Sequence, residues 1–182
     1  MGIAGSLRRG SYNRSLLDAA RALAPASLTI IPFQLDEIPL YNADYDAAHL
    51  LPPEVARLKQ MVSETDGLLI ATPEYNHSMP GVLQNAIDWA SRPGLKSPLA
   101  GKPVAMIGAS ADTVGTARAQ QQLKLVLMSA LALVMPHPGV LVAQSAQKFD
   151  SSGALVHEPT RQFLAAFLVE FETWIARVSR LS

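Results

Sequence analysis

The residues best suited to chemistry follow the first short apolar run of the chain, which ends at Gly5. Two hydroxyls, a guanidinium and an amide come next, at Ser6, Ser11, Arg8 and Asn13. A helical pattern then begins, and the start of a helix offers free backbone N–H groups and the positive end of the helix dipole. The segment Gly5–Asn13 therefore predicts a cradle for a phosphate group. The alternative is that Ser11 and Asn13 only cap the helix and Arg8 is solvated, and for Asn13 alone the two interpretations are equally good, because asparagine is a common cap residue.

The loop matches neither of two common nucleotide-binding motifs. Gly5 and Gly10 have the spacing of a P-loop, yet Ser11 stands where the P-loop lysine belongs. The later apolar run 68–72 also lacks an acidic end that could hold magnesium. A Gly-x-Gly-x-x-Gly motif is absent, which disfavours a Rossmann dinucleotide site. A site for a monophosphate remains the best interpretation.

The composition excludes several classes of protein. The 182 residues carry 15 basic and 15 acidic side chains and no net charge, so nothing points to nucleic acid or to an anionic membrane surface. The absence of cysteine excludes disulfides, thiolate metal sites and thiol redox chemistry. The sequence shows no signal peptide and no apolar run of roughly 20 residues, so we expect a soluble cytoplasmic protein.

Strand and helix patterns alternate along the whole chain. Strands are predicted at Met1–Ala4, Leu28–Ile31, Gly67–Thr72, Pro103–Ala109 and Leu133–Val142, the last split or bent by Pro136, Pro138 and Gly139. Helices are predicted at Ser15–Leu23, Pro53–Ser63, Pro80–Ala90, Thr116–Leu131 and Glu158–Arg180. This alternation predicts one α/β domain over residues 1–182, with a doubly wound parallel sheet between two layers of helices. The first strand has about four residues against the usual five or six, which fits either missing upstream residues or a strand short at the end away from the site.

In such a sheet, ligands bind beyond the carboxyl ends of the strands, and three polar loops are predicted at that edge. They span residues 5–13, 73–79 and 110–118. In the second loop Tyr75 and Asn76 offer a stacking face and hydrogen bonds for a planar polar ring, although simple packing is the alternative for Tyr75. Glu74 is suited to holding the backbone of its own loop. His77 is interpreted as an ordinary loop histidine, because nothing in the sequence supplies it with a partner.

Four motifs, taken in chain order, resemble the NADPH-dependent FMN reductase family. They are Gly5-Ser6-Leu7-Arg8-x-x-Ser11-x-Asn13, Pro73-Glu74-Tyr75-Asn76, Asn85-Ala86-Ile87-Asp88-Trp89, and Gly108-Ala109-Ser110 with Gly115-x-x-Arg118. The resemblance implies a flavodoxin-like fold with five strands in the order 2-1-3-4-5. It implies bound FMN, with NADPH or NADH as hydride donor and a quinone, free flavin, chromate or an azo dye as acceptor.

The resemblance also implies roles for individual residues. Ser6, Arg8, Ser11 and Asn13 are implied ligands of the FMN phosphate, Pro73, Glu74, Tyr75 and Asn76 are implied flavin contacts, and Ser110 lines the third loop. Arg118 faces the flavin, meets the nicotinamide cofactor, or starts a helix beside an acidic neighbour such as Asp112. In the third motif Ile87 and Trp89 are expected to pack, while Asn85 and Asp88 tie down the flavin loop. Because a flavin carries the hydride itself, neither a catalytic side chain nor a metal is predicted.

The predicted helix Thr116–Leu131 is apolar on more than one side, which fits a deeply buried core helix and a subunit interface equally well. The family resemblance implies a homodimer or homotetramer. The segment Tyr41–Tyr45 is a candidate to reach the site of a neighbouring subunit. A flavodoxin-like electron carrier is the alternative function, but such carriers tend to be strongly acidic and this chain is neutral. An α/β hydrolase is remote, because Gly108-Ala-Ser110-Ala-Asp112 lacks the second glycine of a nucleophile elbow.

Overall fold

The computed structural model describes residues 1–47, 50–136 and 139–180. Its strands are β1 (Gly2–Ala4), β2 (Pro32–Phe33), β3 (Leu68–Ala71), β4 (Pro103–Ala109), β5 (Leu133–Val134) and β6 (Val140–Val142). Its helices are α1 (Tyr12–Leu23), α2 (Ala43–Ala47), α3 (Pro53–Glu64), α4 (Gly81–Ala90), α5 (Ala117–Ser129) and α6 (Glu158–Val178), with single 3-10 turns at Gly94–Lys96 and Ser145–Gln147. Pro138, part of the predicted fifth strand, and the end of the predicted domain at 181–182 lie outside the described residues.

All strand pairs of the sheet are parallel, and the strand order is β2-β1-β3-β4-β5. The predicted order 2-1-3-4-5 is therefore confirmed. The predicted split of the fifth strand is also found, because β5 pairs with the start of β4 at Pro103 and β6 pairs with its end at Ile107. Pro136 lies between the two pieces, and a proline cannot donate to a strand ladder.

Helices cover both faces of the sheet. One apolar cluster lies beneath α3, α4 and α5 and includes the fully buried Trp89. The other lies beneath α1 and α6 and includes Phe167 and Phe171. Strand β4 is buried along its whole length, as expected for the centre of a parallel sheet with two covered faces. α6 is the longest helix at 21 residues, yet neither it nor another helix in the described ranges is long and apolar enough to cross a membrane.

Three elements differ from the predictions by more than one or two residues at an end. The predicted strand Leu28–Ile31 is wrong, because β2 forms where β1 runs beside it, with Gly2 opposite Pro32. Helix α1 starts at Tyr12 rather than Ser15, because the Oγ of Ser11 accepts the N–H of Asn13 at 3.2 Å and caps the helix there. The loop after β2 contains the short helix α2, which the sequence did not indicate.

Candidate active site

The three predicted loops meet at the carboxyl edge of the sheet. The hydroxyl of Ser6 in the first loop lies 3.4 Å from the phenol oxygen of Tyr75 in the second. The guanidinium of Arg118, at the end of the third loop, donates to Glu74 in the second at 3.0 Å. These contacts join segments that are 69 and 44 residues apart in the chain, so the loops form one surface.

The first loop presents several donors outward. Ser11 caps α1, while Arg8 is exposed and has no acidic partner among the described residues. The backbone N–H groups of Gly10 and Tyr12 likewise have no acceptor within the part of the chain that the structure describes. Unpaired N–H groups at the start of a helix, next to a guanidinium, form a ready binding site for an anion.

Asn13 holds the first loop against the sheet. Its carboxamide donates to the carbonyl of Ala109 at 2.9 Å and accepts the N–H of Ala109 at 2.9 Å. The residue is 3% exposed, so this side chain anchors the start of α1 to the end of β4. The alternative interpretation of Asn13 as the helix cap is wrong, because Ser11 is the cap.

The second loop turns through a tight two-residue hairpin. Tyr75 and Ser78 exchange backbone hydrogen bonds of 2.9 and 3.0 Å, and Asn76 and His77 between them have φ angles of 50° and 64°. Both φ values are positive, as in the turns that join tightly paired strands, and asparagine tolerates this conformation well. The turn leaves the Tyr75 side chain 46% exposed, while the N–H groups of Asn76 and His77 have no acceptor among the described residues.

Glu74 ties the second loop to α5. One carboxylate oxygen accepts the backbone N–H groups of Arg118 and Ala119 at 3.0 and 3.1 Å, and the other accepts from the Arg118 guanidinium at 3.0 Å. The interpretation that Glu74 holds its own loop is therefore wrong, because it caps the N-terminus of α5 instead. Arg118 does start a helix beside an acidic residue, as one of its three interpretations held, but the acid is Glu74 rather than Asp112.

The end of β4, just before the third loop, is packed too closely for a larger residue at Gly108. A Cβ on Gly108 would lie 2.0 Å from the Oγ1 of Thr116 and 2.5 Å from the carbonyl oxygen of Thr72, so only glycine fits there. Ser110 lies at the end of β4, where its carbonyl accepts two bonds from Ser145 and its hydroxyl accepts the N–H of Asp112 at 3.1 Å. These hydrogen bonds fix the direction in which the third loop leaves β4.

The motif 85–89 anchors a different loop from the one predicted. Ile87 and Trp89 are buried, as expected. Asn85, however, bonds to Pro39 and Tyr41, in the segment after β2, and not to the loop 73–79. The side chain of Asp88 accepts a bond from Gln84 within α4, so its expected contact with the flavin loop is not found.

A cavity of about 540 Å³ opens between the first and second loops. Its lining is Gly5, Leu7, Arg8, Ile38, Leu40, Tyr75, Pro80, Gly81, Val82 and Asn85. A larger cleft of about 760 Å³ lies at the opposite, amino end of the strands, where Met1, Thr29 and Gly67 line it. The smaller cavity is the candidate site, because it lies between the two loops that carry the unpaired donors, is lined by Arg8 and Tyr75, and lies where ligands bind in this kind of sheet.

Comparison with known proteins identifies this arrangement. The sequence model of the family described as NADPH-dependent FMN reductase matches residues 1–147. The chain belongs to this family. It is 43% identical over 174 residues to a 2-hydroxy-1,4-benzoquinone reductase of a Burkholderia species, covering 95% of this chain and 93% of the relative. It is also 43% identical over 178 residues to an NAD(P)H-dependent FMN reductase of Pseudomonas aeruginosa, covering 98% and 95%.

A solved member of this kind of enzyme has the same fold. The structure of FerB, a flavoenzyme NAD(P)H:(acceptor) oxidoreductase from Paracoccus denitrificans, superimposes with a TM-score of 0.87 at 37% identity. The match covers 97% of this chain and 96% of FerB. The predicted flavodoxin-like fold and the family resemblance are therefore confirmed.

Sequence reasoning missed one residue that holds the first loop of this site. Arg14 donates from Nε to the carbonyl of Ser6 at 3.1 Å and pairs with Asp36 at 3.1 Å, so it holds the first loop from behind. An arginine one turn into an amphipathic helix gives no signal of such a contact, because most arginines at such positions are solvated.

Proposed function

We propose that this chain is an FMN-dependent NAD(P)H oxidoreductase that reduces quinones, free flavin or similar acceptors. The observation that carries the proposal is the cavity between the first two loops of a member of the FMN reductase family, which is lined by Arg8 and the exposed Tyr75 ring. Bound FMN supplies the hydride chemistry, and the protein binds and orients it.

The donors of the first loop fit a phosphate. The hydroxyls of Ser6 and Ser11, the Arg8 guanidinium and the N–H groups of Gly10 and Tyr12 would hold the FMN phosphate at the positive end of α1. Asn13 acts one step behind them, because its carboxamide is already paired with the backbone of Ala109. We therefore assign Asn13 to positioning the loop rather than to direct contact.

The second loop fits a flat polar ring. Tyr75 offers an exposed aromatic face, and the unpaired N–H groups of Asn76 and His77 offer donors for the edge of the flavin ring. Pro73 is buried behind the loop, and Glu74 and Arg118 hold the loop against α5. Ser110, in the third loop just after β4, is the third part of the proposed site.

The quinone-reducing reading is favoured over an electron carrier. Carriers recognise protein partners through charge, and this chain has no net charge. Steady oxidation of NADPH with a quinone, dependent on added FMN, supports the enzyme. Flavin that is reduced only by a protein partner supports the carrier.

We also propose a homo-oligomer, dimer or tetramer, that pairs through α5. On this helix Leu125 is 62% exposed and Met128 is 55% exposed, whereas Leu123 and Leu127 are fully buried. Sedimentation of the wild type and of Leu125→Glu tests this, since an equal mass for both contradicts pairing through α5. A cytoplasmic location and the reach of Tyr41–Tyr45 to a neighbour stay predictions.

The test of the function is a visible titration of the purified chain with FMN, followed by NADPH without oxygen. Bound flavin bands that bleach on adding NADPH support the proposal, and the lack of binding at excess FMN refutes it. In the Arg8→Ala variant we expect FMN to bind about tenfold more weakly, the low end of the range for a hydrogen bond to a charged group because Arg8 is exposed. Arg177→Ala, at an exposed arginine near the end of α6, is the control and leaves binding unchanged.

A further inference from the structure

Leu40 is a large, exposed apolar residue on an anchored stretch of backbone. It is 83% exposed and lines the cavity beside Leu7, Tyr75 and Val82. Single exposed leucines are common on protein surfaces, so the exposure by itself decides nothing. What separates Leu40 from an ordinary surface leucine is the way its backbone is fixed.

Both peptide groups that flank Leu40 are anchored to α4. The carbonyl of Pro39 accepts from the side-chain amide of Asn85 at 2.8 Å and from the indole N–H of Trp89 at 2.8 Å. The N–H of Tyr41 donates to the amide oxygen of Asn85 at 2.8 Å. Asn85 therefore holds the backbone on both sides of Leu40. A loop held in this way loses little further conformational freedom when it binds a ligand.

The residues that hold this backbone are themselves closely packed. Trp89 is fully buried, and the Tyr41 ring packs against it edge-on with the ring centres 4.8 Å apart. Arg92 donates from Nε to the phenol oxygen of Tyr41 at 3.3 Å, and its guanidinium also lies over the same ring. The motif 85–89 thus holds the segment 39–41 in place.

We propose that Leu40 is a specificity-determining residue that covers the outer side of the electron acceptor, and that Asn85 is its positioning residue. Arg8 is the one charged side chain among the described residues that line this cavity, and the wall formed by Leu7, Leu40 and Val82 is apolar. Such a wall favours flat, neutral acceptors of the quinone class over small anionic ones. This inference rests on the proposed function and extends it to the choice of acceptor.

The experiment compares two acceptors at saturating NADPH, 2-methyl-1,4-naphthoquinone, which is flat and apolar, and ferricyanide, a small anion. In Leu40→Ala we expect kcat/KM for the quinone to fall about tenfold relative to ferricyanide, chiefly through KM, because the truncated side chain loses most of the apolar contact. Leu95→Ala is the matched control, since Leu95 is 85% exposed and lies in the 3-10 turn Gly94–Lys96, outside the cavity.

A double-mutant cycle tests the positioning residue. Asn85→Ala lowers the quinone-to-ferricyanide ratio in the wild-type background and has no further effect on it in the Leu40→Ala background, because it acts through Leu40. Trp89→Phe, which removes only the donor to Pro39 and keeps most of the ring packing, serves if Asn85→Ala fails to fold. An effect of either variant that persists without Leu40 overturns the positioning role.

Other outcomes separate this inference from the proposed function. If Leu40→Ala shifts the ratio no more than Leu95→Ala, or if its effect follows a change in sedimented mass, Leu40 does not select the acceptor. If the wild-type chain binds no FMN, the proposed function itself fails, and this is seen in the titration before any acceptor is compared.

Discussion

Removing the Glu74 carboxylate tests whether the second loop is held through α5. Glu74 accepts two backbone N–H groups and one guanidinium N–H, and its side chain is only 9% exposed. In Glu74→Ala the first turn of α5 loses its acceptor, and Arg118 loses its partner. Glu74→Gln keeps the size of the side chain and one acceptor oxygen but removes the charge.

The expected loss follows from these contacts. Losing a helix cap costs about 1–2 kcal/mol, and losing a negative charge at the N-terminus of a helix adds about 0.3–1 kcal/mol. The ion pair contributes about 0.5 kcal/mol, because Arg118 is 48% exposed and its charge is screened by water. Glu74→Ala should therefore lower the free energy of unfolding by about 2–3 kcal/mol, or the melting temperature by roughly 5–10 °C. Glu74→Gln should lose about half as much.

The assay is thermal unfolding of the apoprotein, followed by circular dichroism. The matched control is Glu54→Ala, because Glu54 also lies in the first turn of a helix and pairs with an arginine, Arg57, at 2.7 Å. It accepts no backbone N–H among the described residues, so we expect a loss of only about 0.5 kcal/mol. Equal losses for the Glu74 and Glu54 variants would refute the capping argument.

Three more substitutions follow from the site. Ser11→Ala removes the cap of α1 and should lower the free energy of unfolding by about 1 kcal/mol in urea. Ser11→Asp keeps a cap and should have the stability of the wild type, but its negative charge should repel the phosphate and weaken FMN binding. Asn13→Ala leaves the N–H and the carbonyl of Ala109 unpaired and should lower the free energy of unfolding in urea by about 2–4 kcal/mol. A loss below about 1 kcal/mol would show that water replaces the side-chain amide. Gly108→Ala forces a methyl group against the hydroxyl of Thr116 and should abolish the cooperative melting transition. Removing that hydroxyl with Thr116→Ala should not restore the transition, because the added Cβ would still lie 2.5 Å from the carbonyl oxygen of Thr72.

Much of the fold could be predicted because the sequence pattern that indicates most strands and helices lies within those elements themselves. Strand β4 has the predicted bounds, since seven consecutive buried residues leave a continuous apolar run in the sequence. Strand β2 could not be placed, because its position depends on which residues of β1 lie beside it and not on its own pattern. The run Leu28–Ile31 is apolar enough to form a strand, yet the pairing with β1 begins at Pro32.

The site could be predicted only as a set of loops. Polar residues between buried strands indicate which loops reach the carboxyl edge, but not which groups their side chains hold. Asn13 finds its partner 96 residues away, Glu74 finds one 44 residues away, and Asn85 finds one 46 residues away. Contacts over such distances depend on the finished packing, so a motif alone does not separate a ligand-binding residue from one that holds a loop.

Burial divides the motif residues by what they do. Asn13 and Glu74 are almost fully buried. Asn13 bonds to the backbone of Ala109 in β4, and Glu74 accepts backbone N–H groups at the start of α5. Arg8 and Tyr75 are exposed at the cavity. Substituting the enclosed residues should therefore lower both the melting temperature of the apoprotein and the affinity for FMN, because the loops lose their anchors.

Substituting the exposed residues, by contrast, should weaken FMN binding and leave the apoprotein's melting temperature within about 2 °C of the wild type, because surface changes rarely exceed about 0.5 kcal/mol. Measuring both quantities for Arg8→Ala, Tyr75→Ala, Asn13→Ala and Glu74→Ala separates the two groups. If affinity and melting temperature instead fall in proportion in all four variants, every one of these side chains acts by holding the loops. The contacts of the flavin would then have to come from the backbone N–H groups alone.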